Sequence, residues 1–140
     1  MLFRSRILDI QMGKSNQWTI GVVTDGTPFI GGLDGVGHAY SWEALGSGKP
    51  IPFGNVAFNL GLPDKPGVMA MAGQTIAVPL GNYRTINIAA TAVNDSRSAV
   101  FTLLYTDGSS ESWTQVVSDW TNPRNSNGET KIAKIGRAHV

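Results

Sequence analysis

The sequence predicts an all-β chain, an antiparallel β-sandwich of jelly-roll or immunoglobulin-like form, and three observations carry that expectation. Short runs of alternating apolar and polar residues recur along the chain, and each is brief enough to be a strand. Clusters of Gly, Pro, Asn and Asp separate these runs at the intervals typical of sandwiches and barrels. Residues 98–120, SAVFTLLYTDGSSESWTQVVSDW, then place two strand-forming runs on either side of Asp107-Gly108. That dipeptide suits the positive φ angles of a two-residue hairpin turn.

In chain order, residues 17–23 put Trp18, Ile20 and Val22 on one face, and Asp25-Gly26 ends the strand. Residues 31–40 are rich in glycine and read as loop, with a short strand at 39–42 and a helical turn at 42–45. Residues 55–60 alternate Val56, Phe58 and Leu60 against Asn55, Ala57 and Asn59. Residues 62–67, LPDKPG, read as a proline-bounded turn. Residues 74–80 would point Ile76, Val78 and Leu80 inward, with Pro79 at a sheet edge or strand end. Residues 84–93 align Ile86, Ile88, Ala90 and Ala92 as a further strand. In the hairpin, a two-residue turn sets Thr106 opposite Ser109. Phe101, Leu103 and Tyr105 then share one face, and Leu104 and Trp113 the other.

The two ends read as foreign to the domain. Residues 135–140, IGRAHV, match one reading frame of a common short-read sequencing adapter. Residues 2–5, LFRS, match the reverse complement of the same adapter family. The expected organisation is therefore an adapter-like 1–5, a single β-sandwich module at 6–134, and an adapter-like 135–140. The module is expected to be cut short at its C-terminal side, with Gly128-Glu129 leading into a strand that is lost.

This reading changes the charge argument. The chain carries 11 basic and 10 acidic residues. Without Arg4 and Arg137 the balance is 11 − 2 = 9 basic against 10 acidic, a net charge of −1. No Lys/Arg cluster marks a nucleic-acid or membrane surface. With 17 Gly, 7 Pro and only 15% charged residues, the composition resembles a secreted β protein more than a cytosolic helical one. Cysteine is absent, which suits either compartment.

Catalysis finds little to work with. His38 is the candidate histidine for a Ser-His-Asp arrangement, and no G-x-S-x-G elbow exists. A glycosidase pair would have to come from Glu43, Glu111, Glu129 and the aspartates. Asp25, Asp34 and Asp107 each precede glycine and are explained by turns. Zinc is disfavoured by the shortage of His and Cys. A structural calcium ion, taking oxygen ligands from Asp34 in LDGVG and Asp119 in SDW, is the one metal site the sequence suggests. The Gly-rich DGVG is followed by no GK[ST], so a phosphate loop is not expected. Carbohydrate binding needs aromatic rings at the surface beside hydrogen-bonding side chains. Tyr40, Trp42, Trp120 and Asn122 are the candidates; Trp18 and Trp113 lie at alternating strand positions and read as core.

Four segments, in order, resemble a β-sandwich module found beside catalytic domains in secreted bacterial glycoside hydrolases and related exported enzymes. They are GGLDGVGHAYSWEALG (31–46), VAFNLGLPDKPGVMAMAGQTIAVPLGNY (56–83), INIAATAVN (86–94) and FTLLYTDGSSESWTQVVSDW (101–120). The matching motifs are an Asp-Gly-x-Gly loop running into Tyr-Ser, a Gly-Gln-Thr strand, and Tyr-Thr-Asp-Gly followed by Ser-Asp-Trp. The resemblance implies a non-catalytic accessory module, secreted or at the cell surface or in the periplasm, next to a catalytic domain. It implies weak engagement of polysaccharide or cell-surface glycan, or, alternatively, a structural spacer with no ligand.

Overall fold

The computed structural model describes residues 18–133 and 137–139. Every regular element among them is a strand. The order is β1 (Trp18–Ile20), β2 (Val22–Val23), β3 (His38–Ser41), β4 (Ile51–Phe53), β5 (Val56–Phe58), β6 (Pro66–Met69), β7 (Arg97–Leu104), β8 (Ser110–Val117) and β9 (Arg137–His139). The chain divides into two compact units, Met1–Asn87 with Ile132–Val140, and Ile88–Lys131.

In the first unit, β1 pairs antiparallel with β6, β4 pairs antiparallel with β5, and β3 lies between β2 and β9. The β2–β3 pairing is parallel and short, joining Val22 to Tyr40 and Val23 to Ser41. The expected single strand over 17–23 is broken at Gly21. A β-bulge falls between Thr19 and Ile20, and a Cβ at position 21 would collide with the Val68 side chain. Alternation fails there as a result: Val22 and Val23 are both buried, and Val23 is the largest side chain fully withdrawn from solvent. Ala39 and Ile51 complete this small core.

Residues 62–67 turn as expected only in their first half. Asp64 has a left-handed φ of 61°, and its carboxylate receives the Thr24 N–H at 3.0 Å and the Thr24 hydroxyl at 2.7 Å. Pro66 then opens β6, where it faces Ile20 across the bulge, a place where the missing N–H is tolerated. The helical turn expected at 42–45 is present as one bond, from Leu45 N–H to the Ser41 carbonyl at 3.1 Å.

The larger correction concerns 74–80 and 84–93. No residue of 70–91 belongs to a strand. The inward-pointing side chains expected there are exposed: Leu80 by 85%, Ile86 by 52% and Val78 by 47%. Pro79 removes a donor from the first run, and the second run pairs only at its end, where buried Ala92 forms an isolated parallel bridge with Asp119.

The second unit contains the hairpin, with one change of register. Observed pairs run from Arg97 opposite Val117 to Leu104 opposite Ser110. Tyr105 N–H donates to the Ser109 carbonyl at 2.9 Å, and Gly108 N–H to the Tyr105 carbonyl at 3.1 Å. The loop therefore has three residues, a type I turn followed by Gly108 at φ 86°, and Asp107 keeps a negative φ. One extra residue in the loop turns β8 over relative to β7. Trp113 consequently faces Phe101 rather than sharing a face with Leu104, and the two rings stack with centroids 5.3 Å apart at 18°. The reverse face, with Val100 and Leu104, is open to solvent.

Candidate functional site

Tyr40 and Trp42 come from β3 and the turn that follows it. The strand is held at its backbone by Tyr40 N–H to the Gly21 carbonyl (2.9 Å) and Trp42 N–H to the Val23 carbonyl (2.8 Å). Alternation buries Ala39 and Ser41 and leaves Tyr40 and Trp42 half-buried. The Ser41 hydroxyl then receives Ala44 N–H at 3.0 Å, and the Trp42 carbonyl receives Ser47 N–H at 2.9 Å. This turn folds back under the indole: a Cβ at Gly48 would stand 3.0 Å from the Trp42 ring. Gly48 has φ 87°, so both its space and its backbone conformation demand glycine. Glu43 accepts Asp25 N–H at 3.0 Å, which ties the 42–48 turn to the Asp25-Gly26 turn. The two rings thus sit on a backbone fixed from several sides.

The loop leading into β3 is organised by Asp34. Its Oδ1 receives Val36 N–H at 3.0 Å and His38 N–H at 3.2 Å, and its Oδ2 meets His38 Nδ1 at 2.5 Å. Burial works to raise the Asp34 pKa, but these hydrogen bonds outweigh it and hold the carboxyl below its usual range. Gly32 bridges His38 so closely that a Cβ there would strike the His38 carbonyl. The histidine and aspartate that a triad would use together here close a loop around one carboxylate.

In the second unit, Trp120 and Asn122 follow a buried carboxylate. Asp119 is only 7% exposed. Its Oδ1 receives Thr121 N–H (2.8 Å), the Thr121 hydroxyl (2.5 Å) and Asn122 N–H (3.2 Å), and its Oδ2 receives Asp95 N–H (3.0 Å). Trp120 N–H reaches the Ala92 carbonyl at 3.0 Å, so the indole leaves the backbone beside a short parallel bridge between Ala92 and Asp119. Trp120 is half-buried, and Asn122 is exposed.

Next to this knot is a second one that the sequence reading did not find. Glu129 Oε1 receives Ser118 N–H at 2.5 Å, while Oε2 receives the Ser118 hydroxyl at 2.5 Å and Ser126 N–H at 2.8 Å. Burial raises the pKa of Asp119 and of Glu129, and in both the donated hydrogen bonds prevail and lower it. The Asp-x-Thr spacing of 119–121 is a legible Asx-turn signal. Nothing local connects Ser118 to a glutamate eleven residues on.

Asp34 and Asp119, the two carboxylates expected to share a calcium ion, fall in different units, and each is occupied by donors from its own surroundings. Among the described residues, no group of three or more His, Asp or Glu is arranged to hold a metal ion. Among the described residues, no helix is long and apolar enough to cross a membrane.

With strands as the sole regular elements and loops locked by carboxylates, comparison with known families decides the class. The model of the AziU2-like beta-sandwich domain matches residues 19–138. The chain belongs to that family. The AziU2-like match spans both compact units and every described strand but the start of β1 and the end of β9. It establishes a β-sandwich domain, as the alternating runs and turn spacing predict. No curated protein and no solved structure matches the chain.

Proposed function

We propose that this AziU2-like domain is a non-catalytic accessory module that engages polysaccharide or cell-surface glycan weakly and keeps a neighbouring catalytic domain near its substrate. The observation that carries this reading is the pair Tyr40 and Trp42: two part-exposed rings on a backbone that is hydrogen-bonded into β2 and braced by the 42–48 turn. A ring held in place loses little entropy when a pyranose stacks on it. Trp120 and Asn122, set on the Asp119 knot, form a second candidate platform. Attachment to a catalytic domain acts through effective concentration, so millimolar affinity suffices. The setting is an exported protein, secreted, periplasmic or at the cell surface, and the reading needs no cofactor.

Affinity electrophoresis through gels containing plant or microbial polysaccharides tests it. The wild-type chain is expected to be retarded by at least one glycan, and the Tyr40→Ala/Trp42→Ala variant to run freely. A folded double variant that is still retarded would remove these rings from the account.

A second reading is favoured by the exposed apolar side chains of 76–88. A spacer packed on a neighbouring domain would cover them. Absence of retardation by every glycan, together with protection of 76–88 in the longer protein, would select it.

A further inference from the structure

We propose that Asn127-Gly128 is a self-modifying site, at which the asparagine converts to isoaspartate and releases the Glu129 clamp. The chain has one Asn-Gly pair. It occupies the centre of a turn closed by Glu129 N–H to the Ser126 carbonyl at 2.9 Å, and both residues are exposed. Gly128 has φ 84°, and a Cβ there would stand 2.6 Å from Gln115 Oε1. The left-handed φ favours glycine there, while the Gln115 amide is the movable end of a flexible side chain. The residue that leaves its own nitrogen least shielded is the one the turn favours.

The chemistry needs only water and a base from solvent. Deprotonated Gly128 N attacks Asn127 Cγ, the Cγ–Nδ2 bond breaks, and ammonia leaves, which closes a cyclic imide. Water then adds to one of the two imide carbonyls. Cleavage at the Cγ–N bond gives aspartate; cleavage of the original peptide bond gives isoaspartate, whose main chain runs through Cβ. No electrons are exchanged, and the sum is asparagine plus water to an acid plus ammonia.

Contrast with the Asp-Gly pairs explains the selectivity. Asp107 Oδ1 is held by Ser109 N–H (2.8 Å) and its hydroxyl (2.6 Å), and Gly108 N–H is engaged by the Tyr105 carbonyl. Asp34 is held by Val36 and His38. At 127–128, neither the asparagine side chain nor Gly128 N–H has a hydrogen-bond partner among the described residues. Asp25-Gly26 is less constrained, but a carboxylate is a poorer electrophile than an amide. An isoaspartate lengthens the backbone two residues before Glu129, which then cannot reach Ser118 and Ser126 together.

The test is to incubate the whole chain at mildly alkaline pH and follow it by peptide mapping, with an isoaspartate-specific methyltransferase as the probe. Isoaspartate is expected at 127 ahead of Asn94, Asn122 and Asn125, and amide exchange at Ser118 and Ser126 should quicken in the converted fraction. The Asn127→Gln variant should show neither change. An intact Asn127 under conditions that convert a synthetic 122–132 peptide would overturn the proposal. So would conversion that leaves exchange at Ser118 and Ser126 unaltered.

Discussion

Two stretches of this chain carry the same alternating pattern and have different fates. In β7 and β8 the pattern becomes a ladder of eight cross-strand pairs. Across 74–80 and 84–91 it becomes no strand at all, and its apolar side chains stay in solvent. The difference is in what lies between the runs. Thr106-Asp107-Gly108 reverses the chain within three residues, so the partner strand is supplied at almost no loop-closure cost. In the other stretch, Pro79 removes a donor from the first run, and 81–83 offers no turn that closes the two runs on each other. Alternation marks residues able to line a face; a partner strand decides whether the face is built, and in the hairpin a local turn supplies it.

The comparison can be broken by substitution, and the largest effect is expected at the hairpin's foot. Asp119→Ala leaves four donated hydrogen bonds without an acceptor, three from N–H groups and one from a hydroxyl. A loss of about 3–5 kcal/mol is expected in urea unfolding followed by Trp fluorescence, since charge-assisted bonds are strong and their orphaned donors costly. Trp113→Ala removes the ring stacked on Phe101 and should cost about 2–3 kcal/mol, below a fully buried tryptophan because the face is half-open. Gly108→Ala meets open space but a left-handed φ, for an expected cost of about 1 kcal/mol. Leu80→Lys, at a side chain 85% exposed, should change stability by less than about 0.5 kcal/mol while lowering self-association in light scattering. A loss at Leu80 as large as that at Trp113 would show that the two stretches are not different after all.

Acid sharpens the same contrast. The pKa values of Asp119 and Glu129 are lowered in the fold. A carboxylate of this kind stabilises the fold fully above its unfolded pKa and loses that contribution as pH falls through its folded one. The urea midpoint should therefore be flat near neutrality and drop below about pH 4, where ordinary carboxylates begin to protonate. Asp119→Asn should flatten part of that drop.

How much of this was legible follows from range. The all-β class, the hairpin and the strand at β3 rest on patterns within a few residues, and the sequence carries them. The face of Trp113 differs from the expected one because a two-residue and a three-residue loop at Asp107-Gly108 differ by one register step, which is enough to invert β8. The strands expected at 74–80 and 84–93 fail because period alone cannot report whether a neighbour exists. At the candidate site, Tyr40 and Trp42 could be picked out as rings beside a glycine-rich loop. The brace beneath Trp42 depends on Gly48, and the Glu129 clamp on a contact across eleven residues, neither of which leaves a local signal.

Residue-resolved amide hydrogen exchange on the intact chain tests the central contrast most directly. Slow exchange is expected at the inward-bonded amides of 97–104 and 110–117, and fast exchange throughout 74–80 and 84–91. Comparable protection in both stretches would contradict the account, because it would mean that 74–80 and 84–91 are paired as firmly as the hairpin.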